Sequence, residues 1–303
     1  MSVTNVSIVV PHFERFELLK ETVASVIREA RLGDQLTIVD DGSSLKTVKK
    51  IENLLGEVPN SIDTQLICHK TNLGGAAARN TAVRASRHGW LFCLDSDNLL
   101  TPNLLASLVT AASQESLDAA VPEYTVYFLN DPRSITHSWR YPARQVVLED
   151  HFSKSKIVPS ASGNYLFSRE SWERAEGYPD VGMLDTWGFG LRQIGTGSVM
   201  LPVKGTFYLH RYGHASYWGS GKEKDMKNDV DKLVSEQSEL VDLEGAGLLK
   251  RRRRINRTRF KLSFQQEIFP SLALNQVTLG EVINKERLPD WILHGACRTL
   301  AAN

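Results

Sequence analysis

The sequence predicts an α/β fold, a Rossmann-like, mainly parallel sheet flanked by helices. Two observations carry this. Short apolar, β-branched runs alternate with helical patterns four times over roughly the first 115 of 303 residues, and acids and glycines gather just after each run. Alternation of this kind builds a parallel, doubly wound sheet, whose ligands bind at the carboxyl edge of the strands.

The first unit is Val6 to Pro11, followed by polar turn residues and a helix carrying Leu18, Leu19, Val23, Val26 and Ile27. The second runs from Leu36 to Val39, then Asp40-Asp41-Gly42-Ser43-Ser44, where a glycine suits a tight turn and hydroxyls can cap a helix from about Leu45. The third, Thr64 to His69, passes through Asn72-Leu73-Gly74-Gly75 into Ala76-Ala77-Ala78-Arg79-Asn80. Small residues at that helix start let a ligand approach closely, and bare backbone N–H groups there suit a phosphate or diphosphate.

The fourth unit is the most informative. Trp90 to Leu94 is an unbroken apolar run that ends in Asp95-Ser96-Asp97. Side chains two apart on an extended segment share a side, so Asp95 and Asp97 are expected to converge. Paired carboxylates at the end of a buried strand make an oxygen-rich cradle for a hard divalent cation, which can in turn hold a diphosphate. The plainer alternative is a strand capped by a turn, with Asp97 or Asn98 as a helix cap ahead of Pro102.

In order and spacing, Ile8-Val9-Val10-Pro11, Val39-Asp40-Asp41-Gly42-Ser43, Asn72-Leu73-Gly74-Gly75 with Ala78-Arg79-Asn80, and Leu94-Asp95-Ser96-Asp97 resemble the inverting family 2 glycosyltransferases. That resemblance implies the GT-A fold and a nucleotide-sugar donor, with UDP favoured. It implies that Pro11 and Phe13 border the nucleobase, that Asp41 accepts a hydrogen bond from the base N–H, and that Asp95 lies near the ribose. Gly75, Asn80 and Ser96 would join the donor contacts, and Asp97 would ligate a divalent cation, Mn2+ or Mg2+.

The resemblance continues through Ser162 to Glu170 and Gly177-Tyr178-Pro179 to Asp185-Thr186-Trp187. Most members carry an acid pair there, one acid deprotonating the acceptor hydroxyl. Counting back from Arg192 places that base on Thr186, which cannot act as one, so Asp185 is the expected catalytic base and Asp180 the next in line. An N-cap for the following helix is the structural alternative for Asp185. The resemblance also matches His210, at the end of the apolar strand from Phe207, to a metal ligand, and imidazole beside carboxylate suits manganese. His214, Tyr217 and Trp218 would lie on the sugar side or in the core.

The chain divides into residues 1–218, the catalytic domain with a nucleotide-binding half (1–115) and an acceptor-binding half (116–218), and a charged, mainly helical extension, 219–303. Three cysteines without metal-like spacing read as reduced thiols. With no apolar stretch of transmembrane length and no signal-like start, the expectation is a cytoplasmic protein, soluble or peripheral at the inner face of the membrane. Eight cations fall within residues 250–261, from Lys250 to Lys261, and their readings are a solvated helix face or contact with anionic lipid. No aromatic platform accompanies them, so nucleic acid is not an expected partner. The apolar tail beyond could fold on the catalytic domain or on a second subunit of a homo-oligomer.

The leading function is therefore metal-dependent, inverting transfer of a hexosyl or hexosaminyl group from a nucleotide sugar to a cell-surface glycan or lipid-linked acceptor. A sugar nucleotidyltransferase is the second reading, weakened because Pro11 to Arg15 lacks a glycine-rich, triphosphate-binding loop. A non-catalytic nucleotide- or glycan-binding protein with this fold is the third.

Overall fold

The computed structural model describes residues 4–129, 134–141, 144–147, 163–211 and 277–278. The four expected units are all present. β1 (Val6–His12), α1 (Phe16–Glu29), β2 (Gln35–Asp40), α2 (Leu45–Gly56), β3 (Asp63–Cys68), α3 (Gly75–Ala85), β4 (Trp90–Cys93) and α4 (Leu104–Gln114) follow in sequence. Then come β5 (Ala119–Phe128), β6 (Ser134–Arg140), β7 (Leu166–Ser168), α5 (Arg169–Arg174), α6 (Asp185–Gly195), β8 (Met200–Arg211) and β9 (Val277–Thr278).

Sheet order is β3-β2-β1-β4-β7-β5-β6-β9, with β8 also paired to β5. β3, β2, β1 and β4 are parallel, β7 runs antiparallel between β4 and β5, and β5 pairs in parallel with β8. The chain leaves β1 in one direction to build β2 and β3, then returns to place β4 on the other side of β1. That reversal makes the gap between the carboxyl ends of β1 and β4 the topological switch point, where an open α/β sheet leaves a crevice.

Strand alternation explains why the runs read as continuously apolar. Val6, Ile8, Val10, Leu36, Ile38 and Phe92 face one core with Leu19 and Val23 of α1, Ile51 of α2 and Leu105 and Leu108 of α4. Val9, Val39, Leu91 and Cys93 face the other with Ala78 and Ala82 of α3 and Phe189 of α6. Both sheet faces are covered, as parallel sheets require.

Two local differences from the sequence reading matter. β4 stops at Cys93, so Asp95 and Asp97 sit in the turn beyond it rather than on the strand. The strand ends because the Asp95 N–H donates to the Asn164 side chain (2.8 Å) and the Asp95 C=O accepts the Asn98 N–H (3.1 Å), neither pairing with a neighbouring strand. Second, Asp185 is the first residue of α6 rather than its cap, although its carboxylate does accept the Thr186 N–H at 2.7 Å. The basic run 250–261 and the rest of the expected helical extension lie outside the described residues, apart from Val277 and Thr278, which form a short strand against β6. His214, Tyr217 and Trp218 are also outside. Among the described residues no helix is long and apolar enough to cross a membrane.

Candidate active site

The acid pair at the carboxyl end of β2, Asp40 and Asp41, is held by two histidines. Asp40, buried, receives His12 Nδ1 at 2.8 Å and Ser43 N–H at 2.9 Å. Arg15 N–H donates to His12 Nε2 (3.1 Å), which leaves the His12 proton on Nδ1 for Asp40. Asp41 pairs with His69 Nδ1 at 2.7 Å and accepts the N–H groups of Leu73 (2.9 Å) and Gly74 (2.8 Å). Asp41 therefore shapes the loop that opens α3. Its Oδ1 takes two of these bonds and its Oδ2 one, so a lone pair on Oδ2 remains for a nucleobase N–H. Gly42, at φ 82°, must be glycine for two reasons: the left-handed backbone, and a Cβ that would fall 2.5 Å from the Thr71 carbonyl carbon.

Phe13 projects from the turn after β1 and is 46% exposed, available to a flat ring, close in sequence to Pro11 near the carboxyl end of β1. The next residue, Glu14, adopts φ 53° and clasps the start of α2, accepting Ser44 N–H (2.5 Å) and the Thr47 hydroxyl (2.8 Å). Its N–H binds Ser43 Oγ at 2.8 Å, so the first two βα turns are fastened together.

Across the switch point, Asp95 and Asp97 take different cations. Asp95 Oδ1 receives Arg79 Nη2 at 2.6 Å and Asp95 Oδ2 receives Asn164 Nδ2 at 3.0 Å. Burial alone would raise this carboxyl, but Arg79 and Asn164 outweigh it and hold it low. Asp97 has Arg15 Nη1 at 3.1 Å. Burial and the charge of Asp95 push Asp97 up to about 6 despite Arg15 and Arg211. It is a carboxylate short of positive charge, a deficit that a divalent cation would fill. Ser96 is buried between the two acids.

His210, near the end of β8, has its Nδ1 3.2 Å from both Asn98 Nδ2 and the Tyr208 hydroxyl. The Asn98 amide is oriented by Arg211 N–H, which donates to its Oδ1 at 2.8 Å. Burial lowers His210 to about 4, so the imidazole is neutral at physiological pH, as a metal ligand must be. Tyr208 can accept an Nδ1 proton and leave the Nε2 lone pair for a cation, whereas a proton given by Asn98 to Nδ1 favours the opposite tautomer. Arg211 also braces the acidic turn through Nε to the Asp97 carbonyl (3.0 Å). Among the described residues no group of three or more His, Cys, Asp or Glu could cage a metal alone. Asp97, in the turn after β4, and His210, near the end of β8, are linked through Asn98 and Arg211, and a carboxylate beside a neutral imidazole is a donor set that suits a divalent cation.

Asp185 meets the same cluster from the far side. Its Oδ2 lies 2.5 Å from Arg79 Nη1, so a single guanidinium joins Asp95 to Asp185. Burial raises the Asp185 carboxyl; Arg79 opposes the rise and Asp95 adds to it. Thr186 instead packs its methyl 3.6 Å from where a side chain on Gly163 would begin. Asn80 turns away from the cluster: its amide binds the Tyr178 backbone on both sides (2.8 Å each) and Trp172 Nε1 (3.2 Å). Arg15, Arg79 and Asn164 were not singled out by sequence reasoning, although Arg79 stands inside a quoted motif. A cation within a helix that starts at the ligand edge was the available signal.

The sheet and its switch-point crevice are those of the GT-A fold of glycosyltransferases. Residues 7–174 match the family model for glycosyl transferase family 2, and the chain belongs to that family. It is 24% identical over 172 residues to the glycosyltransferase GlyG of Streptococcus pneumoniae, covering 55% of this chain and 53% of that protein. It is 31% identical over 129 residues to the poly(ribitol-phosphate) beta-N-acetylglucosaminyltransferase TarP of Staphylococcus aureus, covering 40% and 37%. The chain thus spans about half, or less, of these curated relatives. In fold it resembles S. aureus TarS residues 1–349 in complex with UDP-GlcNAc, at TM-score 0.66 and 15% identity over 98% of this chain and 88% of that one. It also resembles the mannosyltransferase PcManGT of Pyrobaculum calidifontis in complex with GDP-Man and Mn2+, at TM-score 0.56 and 17% identity over 98% and 74%.

Proposed function

We propose that this chain transfers a sugar, with inversion, from a UDP-linked donor to a hydroxyl of a cell-surface glycan or lipid-linked acceptor. The observation that carries the reading is the Asp95–Arg79–Asp185 bridge, which sets a buried carboxylate from the acceptor half against the acids of the donor half. UDP-N-acetylglucosamine is the favoured donor, supported by the name of TarP and by the ligand in the TarS complex.

Phe13 and Pro11 border the base and Asp41 Oδ2 accepts its N–H, while Asp95 faces the ribose. Asp97 and His210 hold a divalent cation, which when bound neutralises charge on the diphosphate leaving group. Asp185 takes the proton from the acceptor hydroxyl so that oxygen attacks from the face opposite the departing diphosphate. Asn80 is assigned a positioning role, tying α3 to the Tyr178 turn.

The test is a panel of nucleotide sugars incubated with the full chain and manganese, with release of the nucleoside diphosphate as readout. UDP-N-acetylglucosamine should turn over fastest. Preference for a GDP- or CDP-linked donor would overturn the donor assignment, and no turnover of any donor would favour a binding protein.

A further inference from the structure

Arg79 and Gly75 form one device. Arg79 lies four residues after Gly75 on α3, with its side chain 11% exposed. Its two terminal nitrogens each donate to one carboxylate, Nη1 to Asp185 and Nη2 to Asp95, partners 106 and 16 residues away in sequence. A planar fork can grip two carboxylates at once; an ammonium on a flexible stem acts as a single point charge and cannot match that geometry.

Gly75 makes room for this. It is not among the residues of positive φ, so no unusual backbone demands a glycine. A Cβ there would lie 2.6 Å from Arg79 Nη1 and 3.0 Å from Asp185 Oδ2, so the demand is for space beside the ion pair. The Tyr178 ring lies 5.9 Å from the guanidinium, behind it.

We propose that Arg79 is a positioning residue which, in the space left by Gly75, fixes the Asp185 carboxylate against Asp95, so that the donor side of the crevice holds the base in place. The proposal rests on reading Asp185 as that base. Groups facing Asp185 are Arg79 from α3, Asp95 from the turn after β4 and the Thr186 N–H of its own helix, with Cys93 and Tyr178 facing Arg79 in turn. Among the described residues, Arg79 is the charged group that favours the ionised carboxylate; burial and Asp95 oppose it. Loosening Arg79 therefore makes Asp185 harder to ionise as well as misplaced.

The experiment uses the full chain with manganese and UDP-N-acetylglucosamine, following UDP release to water from about pH 5 to 9. It compares wild type, Arg79→Lys, Gly75→Ala and Asp185→Asn. Gly75→Ala changes no charge and places a better helix former in α3, so it tests the geometry without stranding a buried acid. Both Arg79→Lys and Gly75→Ala should move the acid limb of kcat upward by up to about one pH unit, the low end of what a nearby opposite charge is worth, because each loosens the charge from Asp185 without removing it. At pH 7 kcat should fall roughly tenfold, with the Kd for UDP by calorimetry within about threefold of wild type. An unmoved acid limb in both variants, or equal losses in kcat and UDP affinity, overturns the proposal while leaving the base reading intact if Asp185→Asn is inactive. Wild-type turnover by Asp185→Asn removes the base reading itself and the proposal with it.

Discussion

Arg15 Nη1 lies 3.1 Å from Asp97 Oδ2, joining the turn after β1 to the turn after β4 across the switch point of the sheet. The two side chains are 33% and 13% exposed, so the contact lies at the mouth of the crevice rather than in the core. On the proposed reading of Asp97 as a metal ligand, a divalent cation would compete with Arg15 for this carboxylate. Asp97→Asn removes the charge while keeping the shape. Calorimetric titration of UDP should then show affinity independent of manganese, where wild type gains roughly 10- to 100-fold from a charged contact. Equal manganese dependence in both proteins would rule out Asp97 as a ligand.

Asp41→Ala should cost more than nucleotide affinity. His69, Leu73 N–H and Gly74 N–H all lose their acceptor, and an unsatisfied buried donor costs about 1–3 kcal/mol. The melting temperature should fall by roughly 2–4 °C for each kcal/mol lost, together with weaker UDP binding. UDP should bind wild type better than CDP, because uracil N3 donates where cytosine N3 accepts. A variant that loses UDP affinity without any loss of thermal stability would mean that the Asp41 contacts to the loop are not formed in solution.

Glu29, at the end of α1, is pushed up to about 7 by burial, against hydrogen bonds from the Leu104 and Asn103 N–H groups and the charge of Arg28. Those N–H groups open α4, whose N-cap Asn103 supplies no side-chain bond. Because the folded value lies above the unfolded one, the protonated acid is favoured by folding. Its contribution is fully present below the ordinary glutamate value of 4.5 and is lost as pH rises through about 7. Glu29→Gln should flatten this part of the stability profile and melt higher than wild type at pH 8. Urea titrations at pH 5 and pH 8 check it: the same change in midpoint between the two pH values in variant and wild type would remove Glu29 from the account.

The units up to α4 were legible because apolar period and turn chemistry agree there. Val9 faces one core and Val10 the other, which is why the run has no polar interruption. The acids were legible as types at an edge, but their partners were not. Nothing in the spacing of Asp41 and His69, or of Arg79 and Asp185, says that β2–β3 register and the packing of α6 on α3 bring them together. The convergence expected of Asp95 and Asp97 assumed an extended strand; the side-chain amide of Asn164, 69 residues later, ends it early.

Asp185 carries the sharpest functional prediction. Asp185→Asn preserves the acceptor for the Thr186 N–H and removes the charge that Arg79 holds, so α6 should start unchanged. Donor affinity should stay near wild type while transfer falls by a factor on the order of 100 to 10,000, the usual worth of positioned proton transfer. Since burial raises this carboxyl, wild-type activity should rise with pH over a range above that of an ordinary aspartate, as the acid gives up its proton. Single-turnover assays with saturating UDP-N-acetylglucosamine separate chemistry from binding. Transfer by Asp185→Asn at near wild-type rate would send the base role to another carboxylate, with Asp180 next to be tested. If Asp180→Asn were equally active, the threonine at 186 would mark an acceptor side that departs from the family pattern.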